Sequence, residues 1–294
     1  MRLLVTGGSG FLGSAVVRHA LAAGHDVAIL SRQPTGAAGT TDSVPIPGDL
    51  ASPPWDAIAG FRPEAVLHAA WIATPGVYLE SPANSDWLHW SRAFANRLPE
   101  LGVRHLTVLG TCIEYAVTGK PLNEVETPLA PVSPYARAKA ELHAALASDL
   151  TGSGTGLAWA RIFYPYGQHE HPARLASSLL SRVMSGQAIT LKTPNSTKDY
   201  IHEDDVARGL LAVVGAGYQG PINIGTGEGV TVGMLARTLA EFAGRPDLVV
   251  LPADAPRDPF DHVVADPSRL LGLGWRPKVE LLDGLRRLVE ARRA

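Results

Sequence analysis

Tyr135 and Lys139 stand four residues apart in the stretch Ser133-Pro134-Tyr135-Ala136-Arg137-Ala138-Lys139. On a helix these two side chains share one face. A phenol beside an ammonium is a pair that can hold or deliver a proton. The spacing alone is common, and a plain helix-surface pair would read the same way. Upstream, Gly110-Thr111-Cys112-Ile113-Glu114-Tyr115 offers a hydroxyl at Thr111. A third cluster is built to hold an anion. Leu3-Leu4-Val5-Thr6 is an apolar run, Gly7, Gly8 and Gly10 follow, and Phe11, Leu12, Ala15, Val16, His19 and Ala20 then recur at helical spacing. A strand, a tight turn and a helix N-terminus in that order aim free N–H groups and the positive end of a helix dipole at a phosphate. Gly7 suits the turn, Gly10 lets the backbone approach a pyrophosphate, and Gly13 lets helix and sheet pack closely.

The elements that must position these groups follow from the rest of the chain. Val27-Ala28-Ile29-Leu30, after a helix C-cap at Gly24, completes a βαβ unit of about 30 residues. Where an NAD-binding unit places Asp or Glu for the adenosine ribose, this chain reads Leu30-Ser31-Arg32. No carboxylate there repels a 2′-phosphate and a cation is at hand, which favours NADP(H) over NAD, unless Arg32 is only a solvated loop residue. Residues 33–48 read as a loop with a short strand at Val44–Ile46. Asp49 and Leu50 stand at the right distance to flank an adenine ring, although Asp49 would serve equally as a helix N-cap.

Ala65-Val66-Leu67-His68-Ala69-Ala70 is apolar without alternation, as a strand covered on both faces requires. It places Ala69 beside the cofactor, and His68 is a core or cofactor-lining residue rather than a metal ligand. A helix over Asn84–Leu101, a strand at His105–Gly110 and a helix to about Leu150 continue the alternation. That alternation predicts an α/β fold with a Rossmann-type, doubly wound parallel sheet. Ligands lie at the carboxyl ends of such strands, so Thr111 faces the same crevice as the glycine turn.

Composition removes several classes. The 294 residues carry 26 basic and 28 acidic side chains, a net charge of −2, with no footprint for nucleic acid. The single cysteine, Cys112, excludes an internal disulfide framework and fits a reducing cytosol. A strand beginning within three residues of Met1 leaves no room for a signal peptide. No apolar run approaches the roughly 18 residues of a membrane span. A cytoplasmic protein without membrane or nucleic-acid partners is expected. His169-Glu170-His171 lies in a Pro-bounded loop without further ligands at supporting spacing, so no metal is expected. Nothing near Cys112 in sequence would activate it as a nucleophile.

With these residues in view, the chain resembles an extended short-chain dehydrogenase/reductase of the NAD(P)-dependent epimerase/dehydratase family, and the likeness runs nearly end to end. Thr6-Gly7-Gly8-Ser9-Gly10-Phe11-Leu12-Gly13 is similar to the family's TGxxGFxG, and Thr111, Tyr135 and Lys139 fall on its catalytic Ser/Thr-Tyr-Lys. Arg161-Ile162-Phe163-Tyr164-Pro165-Tyr166-Gly167 resembles the strand and turn beside the nicotinamide. Lys198-Asp199-Tyr200-Ile201-His202-Glu203-Asp204-Asp205-Val206 resembles R-D-(F/Y)-I-x-x-x-D-(V/L), with Lys in place of Arg. Asn223–Glu228, Ala265–Leu270 and Leu273–Pro277 match later family segments.

The resemblance implies NADP(H) held by Gly7, Gly10, Phe11, Leu12, Gly13, Ser31, Arg32, Asp49, Leu50, Ala69, Tyr135, Lys139 and Tyr164. It implies a nucleotide-sugar substrate met by Thr111, Cys112, Tyr164, Arg174, Lys198 and Arg257. Lys198 is a point charge where relatives have a bidentate fork, so it either binds diphosphate more weakly or only fixes its loop. Arg174 is either a phosphate contact or a solvated helix residue. Tyr164 stands where many relatives have Asn, which leaves the nucleotide open.

Hydride transfer to a ketone builds charge on oxygen, which Tyr135 would neutralise with a proton while Thr111 donates a hydrogen bond. Lys139 would hold the nicotinamide ribose. Its ammonium is also expected to favour phenolate, and a fall of about two pKa units corresponds to roughly 2.7 kcal/mol.

The dehydratase branch uses Asp and Glu where this chain has Cys112 and Ile113, which cannot perform that proton chemistry. The expected activity is NADPH-dependent reduction of a keto group, at C4, on a dTDP-linked deoxysugar. An NAD(P)-dependent nucleotide-sugar epimerase and a non-catalytic dinucleotide sensor are the alternatives. The expected division is a Rossmann lobe over 1–162 plus about 196–228, and a smaller α/β substrate-binding lobe over about 163–195 plus 229–294. Leu281, Leu282, Leu285, Leu288 and Val289 form an amphipathic stripe expected to pack on the core. The family suggests a homodimer.

Overall fold

The computed structural model describes residues 1–33, 41–252, 254–256 and 258–293. The chain opens with β1 (Arg2–Thr6), α1 (Phe11–Ala22), β2 (Asp26–Ser31) and β3 (Val44–Pro47). Then α2 (Trp55–Phe61) returns it to β4 (Ala65–His68), α3 (Asn84–Arg97), β5 (His105–Thr111), α4 (Pro134–Asp149) and β6 (Gly156–Ile162). Next come β7 (Tyr164–Tyr166), α5 (Leu175–Met184), β8 (Ile189–Thr190), β9 (Thr197–His202), α6 (Glu203–Gly215) and β10 (Gly220–Ile224). The chain closes with β11 (Gly229–Thr231), α7 (Val232–Phe242), β12 (Val249–Val250), β13 (His262–Val263), α8 (Ser268–Gly272) and α9 (Leu281–Arg293).

Seven strands form one parallel sheet in the order β10-β6-β5-β4-β1-β2-β3. Both faces are covered, so its strands read as unbroken apolar runs. In β1, Leu3 and Val5 pack with Val16, Val17, Val206 and Leu210 of α1 and α6. Leu4 between them points the other way, toward Phe94 and Leu98 beside Leu142 and Leu146 of α4. From β3 at one edge the chain crosses back to β4, so β1 carries β2 on one side and β4 on the other. A crevice opens at the carboxyl ends of strands where the order reverses in this way.

The sequence-based helix over Asn84–Leu101 is shorter in the structure. It ends at Arg97, and Pro99 opens a separate 3₁₀ turn over Pro99–Leu101, as a residue without an N–H donor does.

The second layer is a small sheet in which β9 pairs with β7, β11 and β13. Its core gathers Tyr166, Leu179, Leu180, Val183, Leu235 and Leu239 with Leu285, Leu288 and Val289 of α9. Leu282 departs from the expected stripe and remains 47% exposed. Segment 196–228 divides between the sheets: β9 lies in the small one, whereas α6 packs under the large one and β10 joins its edge. Leu270 and Trp275, from the C-terminal region, pack in the core of the large sheet. No helix among the described residues is long and apolar enough to cross a membrane.

Candidate active site

The first glycine turn is built as a cradle. β1 stops at Thr6, Gly7 takes φ 69°, and the Gly10 N–H donates to the Gly7 carbonyl at 2.9 Å. A Cβ on Gly13 would run into that carbonyl, and one on Gly7 would meet the Ala69–Ala70 backbone. Only glycine permits this approach. α1 starts at Gly10 with no side-chain cap, so its first turn keeps N–H groups available for an anion. The cradle therefore fits a dinucleotide pyrophosphate.

A cleft of ≈ 650 Å³ runs from this turn across the strand ends. Gly7, Gly10, Phe11, Leu12 and Gly13 line one end, with Ser31, Arg32, Asp49 and Leu50 beyond them. The Ser31 and Ser9 hydroxyls are 2.8 Å apart, and Arg32 is exposed at the rim. Asp49 accepts the Ser52 N–H at 3.0 Å, so it caps a turn, while α2 begins at Pro54. His68 is a satisfied core residue: Nδ1 is 2.7 Å from the Thr6 hydroxyl and Nε2 is 2.9 Å from the Ser91 hydroxyl. Burial pushes its pKa down to about 3 and keeps it neutral.

Ala69, Thr111, Cys112, Tyr135, Lys139, Tyr164 and Arg174 line the rest of the cleft, with Ala69 close to Gly7 and Arg174 over Phe11. Thr111 is the last residue of β5, and a single 3₁₀ turn over Cys112–Glu114 follows it. That turn sends Glu114 back under the strand, where Oε1 accepts the Thr111 N–H at 2.8 Å and Oε2 accepts from Arg161 Nε at 2.8 Å. Trp159 Nε1 also donates to Glu114, and Arg161 reaches the Tyr115 hydroxyl at 3.0 Å. Glu114 is fully buried and does not line the cleft; burial pushes its carboxyl up while Arg161 pulls the other way.

The helix bearing Tyr135 does not include Ser133 but starts just after it. Ser133 is the N-cap, its hydroxyl accepting the Ala136 N–H at 3.1 Å, and Pro134 occupies the first helical position. The Tyr135 N–H donates to the Leu79 carbonyl at 3.1 Å and the Arg137 N–H to the Ser133 carbonyl at 2.9 Å. Every N–H of this first turn is thus engaged. One turn on, Lys139 Nζ donates to the Leu109 carbonyl at 2.8 Å and lies 3.9 Å from the centre of the Trp71 ring.

The expected depression of the Tyr135 phenol is not found. Burial, reinforced by Tyr78 and Glu114, pushes it up instead, whereas burial brings Lys139 down to about 7. The reason is geometric: Nζ is 6.0 Å from the Tyr135 ring centre and is spent on a carbonyl and an indole. Tyr135 is therefore held as a proton donor at neutral pH. The same burial pushes the Cys112 thiol up to about 12, where it is no nucleophile.

Arg174 caps α5 from the cleft wall, 5.8 Å above the Phe11 ring, and pulls against the upward shifts of Tyr78 and Tyr135. Lys198 does not line the cleft. It is buried behind Tyr164, paired with Asp258 at 3.1 Å and bonded to the Phe260 carbonyl, so it fixes its loop. Arg257 lies outside the described residues. His169 bonds to Glu203 of α6 at 2.9 Å, Glu170 accepts the Ser177 N–H of α5, and His171 accepts the Ala173 N–H, so each already has a partner within the protein.

Sequence reasoning missed Tyr78. Its ring meets the Tyr135 ring edge-on, with centroids 4.8 Å apart and planes at 87°. Its only signal was a long, aromatic-rich connection after a strand tip, from Trp71 to Trp87, where functional loops concentrate.

Residues 3–225 match the family described as the NAD dependent epimerase/dehydratase family. The chain is 28% identical over 308 residues to a UDP-glucose 4-epimerase of Corynebacterium glutamicum, covering 95% of this chain and 91% of that one. It is 27% identical over 320 residues to a dTDP-glucose 4,6-dehydratase of Streptomyces niveus, covering 99% and 92%. The structure of a Thermus thermophilus UDP-glucose 4-epimerase in complex with NAD superposes with a TM-score of 0.83 at 30% identity, over 100% of this chain and 99% of that one.

Proposed function

The chain belongs to the NAD dependent epimerase/dehydratase family, and on that footing we propose that it is an NADPH-dependent reductase of a keto group, at C4, on a dTDP-linked deoxysugar. One observation carries this reading. Among the described residues lining the cleft the only carboxylate is Asp49, at the adenine end, and Cys112 and Ile113 occupy the positions after Thr111. Eliminating water from a sugar needs an acid and a base at the reacting carbons. Reducing a ketone needs a single proton donor.

When bound, NADPH supplies the hydride. The glycine cradle and the open first turn of α1 would hold its pyrophosphate, Arg32 would meet a 2′-phosphate, and Lys139 would hold the nicotinamide ribose. Thr111 donates a hydrogen bond to the substrate carbonyl oxygen, its backbone fixed by Glu114. Tyr135, kept protonated by burial, delivers the proton to that oxygen as charge develops. Arg174 is the cation placed to meet the substrate diphosphate. A cytoplasmic homodimer is part of the same reading.

A nucleotide-sugar epimerase is the second reading, favoured by the likeness to UDP-glucose 4-epimerases and by a cleft whose Thr, Tyr and Lys serve both reactions. Incubating the protein with NADPH and a panel of nucleotide-linked 4-keto-6-deoxyhexoses decides between them. Stoichiometric NADPH oxidation with one product epimer supports the reductase. Turnover without added cofactor, by protein that carries tightly bound dinucleotide, would replace it with the epimerase.

A further inference from the structure

The connection between β4 and α3 runs over the substrate end of the cleft, and two of its aromatic side chains, Trp71 and Tyr78, line that end. The reduction outlined above uses neither. Asn84, 2% exposed at the start of α3, fixes the shape of this strap. Its side-chain oxygen accepts the Trp71 indole N–H at 2.8 Å, and its amide donates to the Tyr78 and Ser81 carbonyls at 2.7 and 2.9 Å. From the other side, the Leu79 carbonyl accepts the backbone N–H of Tyr135 itself, at 3.1 Å. A segment pinned at both edges presents its side chains without the ordering cost of a free loop. What it presents to Tyr135 is a second phenol, edge-on at 4.8 Å. Burial pushes that phenol up while Arg174 pulls it down, and with burial the larger influence it stays a hydrogen-bond donor at neutral pH.

We infer that Tyr78 contacts the substrate and selects for a hydroxyl on the carbon next to the ketone, and that Asn84 is the positioning residue that presents it. Thr111 and Tyr135 take the carbonyl oxygen itself. The nearest remaining polar group of a sugar that a phenol packed on Tyr135 can meet is the oxygen of the adjoining carbon. Trp71, whose ring lies over the Lys139 ammonium and whose N–H is held by Asn84, and Trp87 also line this wall. A site that hydrogen-bonds a substrate hydroxyl discriminates strongly against the analogue lacking it.

The inference rests on the keto-sugar reading, so its test needs a readout that does not require reduction. The parent, Tyr78→Phe and Asn84→Ala are compared with paired nucleotide-linked 4-keto-6-deoxyhexoses, one bearing the adjoining hydroxyl and one lacking it. KM and kcat are measured with NADPH, and the corresponding reduced sugars are titrated by calorimetry without turnover. Tyr78→Phe is expected to raise KM, and to weaken binding, roughly fivefold for the hydroxylated member. The deoxy member is expected to change little, kcat to change less than KM, and NADP(H) affinity to remain as in the parent. Asn84→Ala is expected to lose the same discrimination. Equal effects on both members, or none, overturn the role of Tyr78. Discrimination in binding without reduction by the parent would remove the reductase assignment and leave Tyr78 standing. A parent that binds neither sugar overturns both.

Discussion

The Lys139 ammonium lies 3.9 Å from the centre of the Trp71 indole while it donates to the Leu109 carbonyl at 2.8 Å. Burial works against this charge and the aromatic face works for it. Burial, the larger influence, brings Lys139 down to about 7 against an ordinary value near 10.4, while the Glu114 carboxylate pulls it the other way.

Because the shift is downward, the ammonium of the free protein is present below about pH 7 and lost above it. kcat/KM, which reports the free enzyme, is therefore expected to decline on the alkaline side from about that pH. Trp71→Leu removes the aromatic face and should move the decline to lower pH by roughly half a unit to one unit. An unmoved profile would show that the indole does not support the charge. Stability runs the opposite way. From about pH 7 to roughly 10 the unfolded chain holds the Lys139 proton and the folded one does not, so folding stability gains with pH there. Denaturant titrations of Lys139→Met across this window should show that gain reduced.

Tyr135→Phe keeps the ring that Tyr78 packs against and removes the proton donor. Turnover should fall by about 10²- to 10⁴-fold. NADP(H) binding, followed by fluorescence titration, should survive. Unchanged turnover would remove the assignment of Tyr135 as the acid.

Arg32 stands at the rim with the Ser9–Ser31 hydroxyl pair below it. Arg32→Ala should weaken NADP(H) by roughly tenfold or more and NAD(H) by far less, since only the first carries a 2′-phosphate. Equal affinities for the two cofactors in the parent protein would undo the NADP(H) reading.

Glu114 and Arg161 form an ion pair that is 0% and 2% exposed. Glu114→Gln leaves the guanidinium without its counter-charge and should cost about 3–5 kcal/mol in denaturant unfolding. Combining it with Arg161→Met should recover much of that loss. Turnover should recover with it, because the amide oxygen that glutamine supplies still accepts the Thr111 N–H.

The parts of the site that lie close together in sequence were legible there. The Gly7-to-Gly13 cradle and the shared face of Tyr135 and Lys139 each follow from local rules, and apolar runs without alternation reported the doubly covered sheet. What escaped depends on partners brought from afar. Lys198 reads equally as a diphosphate ligand or as a brace for its loop until Asp258 and the Phe260 carbonyl are seen to hold it. The phenol shift of Tyr135 has the sign of its burial, which no spacing reveals. Tyr78 lies on a connection with neither helical nor strand period, and β7, β11 and β13 are too short, at two or three residues, to show one; Asn84 opens α3 with no local sign of the groups it bonds.

The N-termini of α1 and α4 at this cleft differ, and that of α5 carries Arg174. The mouth of α1 is open at Gly10, whereas that of α4 is closed by Ser133, Pro134 and the Leu79 carbonyl. The groove thereby has a polarity. Its α1 end welcomes negative charge and its α4 end has no spare backbone donor to soothe it. An anion that drifts in is drawn to the open mouth of α1, which biases the direction in which a long dinucleotide lies down. Charge born at the opposite end during reaction finds relief in side chains alone, the Thr111 hydroxyl and a proton from the neighbouring phenol.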